Sequence, residues 1–526
     1  MSQFLAVETL IVLLILVATL VAIATRRIRL PYTVSLVLVG LVIAIERPLQ
    51  LQITPELILA IFVPPLVFEA AFELDFRLLR DNLVPIVVLA VPGVVLTALL
   101  VGGVVSLGAG LPLGVAVVFG ALISATDPVA VVSLFRALGV PRRLSTTVEG
   151  ESLFNDGTAI VIFQIAVAAA LSGAFHPLNS ILSFFRVSTG GVTVGLVLGL
   201  LAAQLIARVD DRLVVTTATT LLAYGAYLLA ERLGFSGVLA VATAGLVSGS
   251  VGLVRASPST KIMLFNLWDF FAFLSNSIVF LLIGLNVNLL RLWAGLWPVI
   301  VAVIAVLLSR AVIVYGLSWL AQRFIRRVHI PLSWQHVLFW GGLRGAIGLA
   351  LALSLPVALA ERELLQSMTF GVVLFTLVAQ GTTVQFLLKK LGLTRRQEHR
   401  IEHERRLGEL FAAQEGLRRL ERMHREGLLT DEMWAGLHDE YLQARRQLAS
   451  NLNQLFMEHA ELEREMILQA RREALQAERG ALGDALRRGL ISADVHEMLQ
   501  ADVDRRLEAL DLIQIAIHEG RVTRGD

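Results

Sequence analysis

From Phe4 to about Leu391 the chain is written in apolar runs of roughly twenty residues, and no other feature constrains its fold as much. A helix rises about 1.5 Å per residue, so a run of about twenty spans a hydrocarbon core of about 30 Å. Beyond Gly392 the composition turns polar and rich in Arg and Glu, with helical periodicity. The reading is an all-α polytopic membrane protein: a transmembrane domain over residues 1–391 and a cytoplasmic helical domain over 392–526. Of the 526 residues 56% are hydrophobic, more than one soluble core needs, since such cores stop growing near about 250–300 residues. Cysteine is absent, which excludes disulfides, thiolate metal sites and thiol catalysis. The segment from Phe4 to Thr25 is too long and too lightly charged before its apolar stretch for a cleaved signal, and reads as a span. A net charge of +2 gives no sign of a nucleic-acid partner.

The pattern delimits about thirteen transmembrane helices, at 4–25, 30–46, 53–74, 83–107, 111–137, 147–172, 185–207, 213–231, 234–254, 262–286, 294–322, 334–356 and 364–388. Alternate loops differ in charge. One set holds Arg26, Arg27, Arg29, Arg77, Arg80, Arg142, Arg143, Arg208, Arg212, Arg255, Lys261, Arg323, Arg326 and Arg327; the other holds only Arg47, Arg186, Arg232, Arg291 and Arg362. The positive-inside rule places the first set in the cytoplasm, the amino terminus outside and the polar tail inside.

Several spans carry breaks. Pro64-Pro65 interrupts the third, ahead of Glu69 and Glu73. In the fifth, Pro128 has no N–H for the carbonyl of Ser124, and its ring disfavours helix at Asp127. In the twelfth, Gly341-Gly342-Leu343-Arg344-Gly345 is a second weak point, here with a cation, although paired glycines also suit close helix packing. Breaks at positions five and twelve are offset by seven, which fits two six-helix units joined by a linker, the second inverted. Inverted repeats with broken helices crossing at the midplane belong to secondary transporters.

The chemistry sits between Gly120 and Phe163, in GALISATDPVAVVSLFRALGVPRRLSTTVEGESLFNDGTAIVIF. A carboxylate inside such a segment costs about 2.5–3.5 kcal/mol on insertion, so it marks an ion or proton pathway. Ser152 and Asp156 are four apart and share a helix face; Glu151 and Asn155 share the neighbouring stripe. The broken fifth helix offers Thr126 and loosened carbonyls opposite. A small hard cation takes several such oxygens. Desolvation penalises the charged carboxylate, so a proton and a metal ion compete for it. The inventory suits sodium or lithium, or a larger alkali ion in a wider cavity; Asp156 is read as the ligand shared with the proton, and Asn155 as positioning Asp127. One carboxylate exchanging one proton for one monovalent cation is electroneutral. Glu69 is deep enough to gate the pathway or to take a basic partner; Trp268 and Asp269 read as interfacial residues near a span end. Seven of the ten histidines lie in the tail (His399, His403, His424, His438, His459, His496 and His518), without metal-ligand spacing apart from His399 and His403, and read as a solvated surface. There, Gly427 and Gly489 end helices, and Thr430 and Ser492 cap the next ones.

Ala125-Thr126-Asp127-Pro128, Glu151-Ser152-Leu153-Phe154-Asn155-Asp156-Gly157 and Gly342-Leu343-Arg344-Gly345-Ala346 resemble the sodium/proton antiporters of the cation:proton antiporter-1 family, in its NhaP-like branch. Leu66-Val67-Phe68-Glu69, the stretch from Phe271 to Leu285, and Ser309-Arg310-Ala311 resemble the same family, so that the likeness covers roughly residues 5–390. The resemblance implies a thirteen-helix homodimer in which a core domain moves against a dimerisation domain. It implies Asp156, Ser152 and Thr126 as cation ligands, Asp127 and Asn155 in support, Glu151 paired with Arg344, and Arg310 as a further structural charge. The expected activity is exchange of Na+ or Li+ for H+ in the cell membrane, with no cofactor beyond the transported ions. K+/H+ exchange in the same fold is the alternative. An intramembrane aspartyl protease would also use two buried aspartates, but Pro128 and Asn155 argue against it.

Overall fold

The structure, a computed structural model, describes residues 2–25, 32–46, 55–138, 140–209, 211–253, 258–286, 295–324, 330–393, 397–458 and 460–518. Arg26, Arg27, Arg29, Arg47, Arg255, Arg291, Arg326 and Arg327 of the loop count, and His459 of the tail, lie outside the described residues. Every regular element among those described is a helix.

The chain divides into two compact units, residues 1–394 and 395–526. In the first, seven helical stretches among the described residues are long and apolar enough to cross a membrane: 83–109, 142–172, 177–206, 212–232, 260–282, 296–323 and 362–390. Shorter apolar helices accompany them. In order these are α1 (Ser2–Thr25), α2 (Tyr32–Glu46), α3 (Pro55–Glu73), a short α4 (Phe76–Asp81), α5 (Leu83–Ala90), α6 (Pro92–Ala109), α7 (Leu113–Leu122), α8 (Val129–Leu138), α9 (Arg142–Ser172), α10 (Pro177–Ile206), α11 (Arg212–Arg232), α12 (Gly237–Val247), α13 (Pro258–Asn286), α14 (Leu296–Phe324), α15 (Leu332–Trp340), α16 (Ala346–Leu353), α17 (Arg362–Phe375) and α18 (Gly381–Lys390). A π-turn, Ser248–Gly252, extends α12, and another, Thr376–Gln380, joins α17 to α18.

Packing sorts these helices into two groups, α1–α3 with α10–α13, and α5–α9 with α14–α18. In the first, α2 crosses α13 so closely that a Cβ on Gly40 would strike the Leu281 carbonyl, and one on Gly284 the Val37 carbonyl. Small residues let helix backbones meet where lipid supplies no hydrophobic drive.

Two expectations fail here. α3 runs unbroken through Pro64 and Pro65. A proline frees the carbonyl four residues before it, and for Pro65 that is Ile61, whose oxygen accepts the Tyr224 hydroxyl of α11 at 3.2 Å. A neighbouring helix thus supplies the missing donor, and the kink signal never becomes a break. Trp268 is not interfacial either: it is fully buried, with its ring 4.3 Å from that of Phe68.

The second unit holds two helix pairs, α19 (Gln397–Arg425) against α20 (Asp431–Glu458) and α21 (Ala460–Arg487) against α22 (Ala493–His518). The expected turns are present: Gly427 and Gly489 take positive φ, and the Thr430 and Ser492 hydroxyls accept the Met433 and Val495 amides. Hydrogen bonds from Arg405 and Arg406 hold the exposed Glu402 carboxyl down to about 2. Not all tail histidines are solvated. His403 is buried beside Phe456, and His424 and His438 flank Trp434, at ring distances of 4.6 and 4.7 Å. An imidazole presents an apolar face, which these aromatic neighbours cover.

Candidate cation site

The expected breaks at the fifth and twelfth spans are real, and they meet. Residues 123–128 between α7 and α8 are not helical, nor are residues 341–345 between α15 and α16. The Asp127 amide donates to the Leu343 carbonyl at 2.8 Å, tying one unwound stretch to the other. Each break leaves carbonyls without a donor, and arginines take them. Pro128 frees the Ser124 oxygen; Arg344 Nη1 donates to it at 2.8 Å and to the Ala125 oxygen at 3.2 Å. α15 stops at Trp340, and Arg310 donates from Nε and Nη2 to the Leu338 carbonyl at 3.2 and 2.9 Å. Cations suit the carbonyl end of a helix, where the macrodipole is negative.

α9 faces this crossing. Ser152 Oγ donates to the Thr126 carbonyl. Asn155 Nδ2 donates to Thr126 Oγ1 at 2.6 Å, and the Thr126 amide donates back to Asn155 Oδ1 at 3.3 Å. Asn155 therefore clamps Thr126 rather than positioning Asp127, a correction to the expectation above. The reason is reach: Thr126 already offers a donor and an acceptor to the amide. Asp127 instead turns its Oδ1 to the Val129 amide at 3.0 Å and caps α8. Asp156 lies one turn beyond Ser152 on the same face. Both aspartates are only partly covered, and they are close enough for their charges to act on each other.

Glu151 does not pair with Arg344. It binds Arg310 through both oxygens, at 2.5 Å to Nη1 and 3.0 Å to Nη2, with 3% and 10% of the two side chains exposed. Arg344 is committed to carbonyls 124 and 125, and its own amide to Thr376 Oγ1 at 3.2 Å. Arg310, set in the middle of the apolar α14, was the available signal, since a buried cation requires a partner. Thr376, in the π-turn, escaped the sequence reading, because nothing in sequence marks a turn of that kind. Glu69 is not drawn into this group; with Glu73 and Asp269 it forms a separate set of carboxylates whose oxygens lie within 4.8 Å of one another.

The crossing thus gathers a hydroxyl, a backbone carbonyl and two carboxylates. That donor set suits a small hard cation, and no part of it suits a soft metal. Gly345 makes the approach possible, because a Cβ there would overlap Asp127. Gly345→Ala is expected to lose nearly all transport, whereas Gly103→Ala, with no atom within 4 Å of its added methyl, is expected to keep it. Vesicle transport assays at matched protein content check the contrast.

Comparison with known proteins decides the family. Residues 12–390 match the family described as sodium/hydrogen exchanger, transmembrane. The chain belongs to the sodium/hydrogen exchanger family. It is 43% identical over 397 residues to the low-affinity Na+/H+ antiporter NhaS1 of Synechocystis sp., covering 74% of this chain and 75% of that one. It is 42% identical over 408 residues to the Na+/H+ antiporter ApNhaP of Aphanothece halophytica, with 77% of each chain covered. The match to the Na+/H+ antiporter NhaG of Bacillus atrophaeus runs over 505 residues, at 35% identity and with 93% of this chain and 95% of that one covered. In fold it is similar to the sodium proton antiporter MjNhaP1 of Methanocaldococcus jannaschii, with a TM-score of 0.62 at 23% identity, over 74% of this chain and 99% of that one. The exchanger is a multi-pass membrane transporter and not an enzyme, so the protease alternative falls.

Proposed function

We propose that this exchanger moves Na+ or Li+ against H+ across the cell membrane by alternating access, with Asp156 as the carboxylate that takes either ion. The single observation that carries this reading is the convergence of Ser152 Oγ with the Thr126 carbonyl beside Asp156, at the junction of two unwound segments. A loaded site is neutral at Asp156 and an empty one is charged, so the loaded forms cross more readily. One proton then returns for one Na+, and the cycle is electroneutral. The Na+/H+ antiporters named among its relatives support sodium as the ion. The same reading keeps thirteen crossings, an outward amino terminus and a cytoplasmic tail. It also keeps a homodimer, for which α1 and α10 offer broad apolar outer faces, including Leu16, Leu20, Leu178 and Leu182.

Purified protein in liposomes with an internal pH dye tests this. Na+ and Li+ are expected to drive proton movement that valinomycin with K+ on both sides leaves unchanged. A response to K+ alone would replace this reading with K+/H+ exchange.

A further inference from the structure

A second set of charges stands apart from the crossing. Arg136, in the last turn of α8, donates Nη2 to Glu73 Oε2 at 2.9 Å, and the same nitrogen lies 3.7 Å from Glu149 Oε1. Glu149 also accepts the Ser145 hydroxyl at 3.1 Å. Behind Glu73 stand Glu69 of α3 and Asp269 of α13. One guanidinium therefore touches two acids, and two more stand behind the first. Its side chain is 59% exposed, against 19% for Glu73 and 20% for Glu149. An exposed pair of this kind contributes little to stability. Its placement is more telling than its strength.

Glu149 precedes Asp156 by seven residues, two turns along the same face of α9, or about 10 Å. α8 begins at the cap supplied by Asp127 and carries Arg136 in its last turn, seven residues or about 10 Å beyond Val129. It is a rod with one end on the cation site and the other on this bridge. The bridge also spans the two helix groups, since α3 packs on α12 and α13, whereas α8 packs on α9 and α18.

We infer that Arg136 is a displaceable latch: its guanidinium occupies the acidic approach to Asp156, joins the two helix groups, and must yield Glu73 and Glu149 to an incoming cation. This rests on the exchange reading above. Arg136 is a positioning residue, since it reaches the site through α8 and through the charge it cancels. Removing that charge leaves four acids, which concentrate cations locally. Arg136→Gln is expected to lower the Na+ concentration for half-maximal exchange by about fivefold, equivalent to ~1 kcal/mol. The shift should shrink at high choline chloride, as screening requires. Arg136→Lys should stay near the native value, and Arg136→Glu combined with Glu73→Arg should return towards it.

Two readouts keep the alternatives apart. Liposome exchange gives the half-maximal Na+ concentration and the maximal rate separately. Thermal melting in NaCl, against choline chloride at equal ionic strength, reports Na+ binding without proton movement. Native half-maximal concentrations for Arg136→Gln in both assays would overturn the latch, as would a fall in maximal rate alone, which is all a structural role predicts. Should the native protein melt later in Na+ but exchange nothing, the exchange reading fails; the latch then stands or falls on whether Arg136→Gln shifts the melting titration.

Discussion

Asp156→Asn is expected to insert normally and to move no protons in response to Na+ or Li+, down to the level of protein-free vesicles. The amide is nearly the same shape, so the packing of α9 survives; it cannot take a proton at physiological pH, and it offers a cation no charge. Asp127→Asn is the informative companion. Asp127 caps α8 through the Val129 amide, and asparagine caps about as well as aspartate. That variant should keep its fold and a measurable part of its exchange, with weaker Na+ binding. Everted vesicles with a fluorescent pH indicator, at matched expression, check both. Native rates from Asp156→Asn would move the shared site elsewhere; equal and complete loss in both variants would make the two carboxylates a single unit.

The second large effect is on stability. Glu151 and Arg310 are buried, bidentate and shared with the Leu338 carbonyl. Glu151→Ala strands a buried guanidinium, and Arg310→Ala strands a buried carboxylate. Each is expected to cost about 3–5 kcal/mol, because an uncompensated charge in a low-dielectric interior is far worse than none. Replacing both by methionine should recover most of that loss, leaving the Leu338 oxygen unpaired at about 1–3 kcal/mol. Melting in detergent, followed by size-exclusion chromatography, gives the cycle. Losses that simply add, single to double, would mean that the pair is not coupled.

These expectations were legible to different depths. The apolar runs, the break at Pro128 and the break at Gly341–Gly345 could be read directly, because each is a local property of the backbone. So could the shared face of Ser152 and Asp156, which needs only the helical repeat. The partners could not. Sequence offered Glu151 two arginines, and likeness of motif favoured Arg344, whereas Arg310 takes the acid. Asn155 reaches Thr126 and not Asp127, and Pro64-Pro65 left α3 unbroken because Tyr224, 163 positions away, donates to Ile61.

By itself the sequence determined that this chain crosses a membrane in helices, that two of those helices are interrupted, and that an acid sits beside an interruption. Hydrophobicity, a missing N–H and a period of 3.6 act within a few residues and need no fold. Only the tertiary structure decided which side chain answers each freed carbonyl and each buried charge. Those choices depend on which atoms a distant helix brings within about 3 Å, and a hydrogen bond at that range is made or lost by shifts that no local rule encodes.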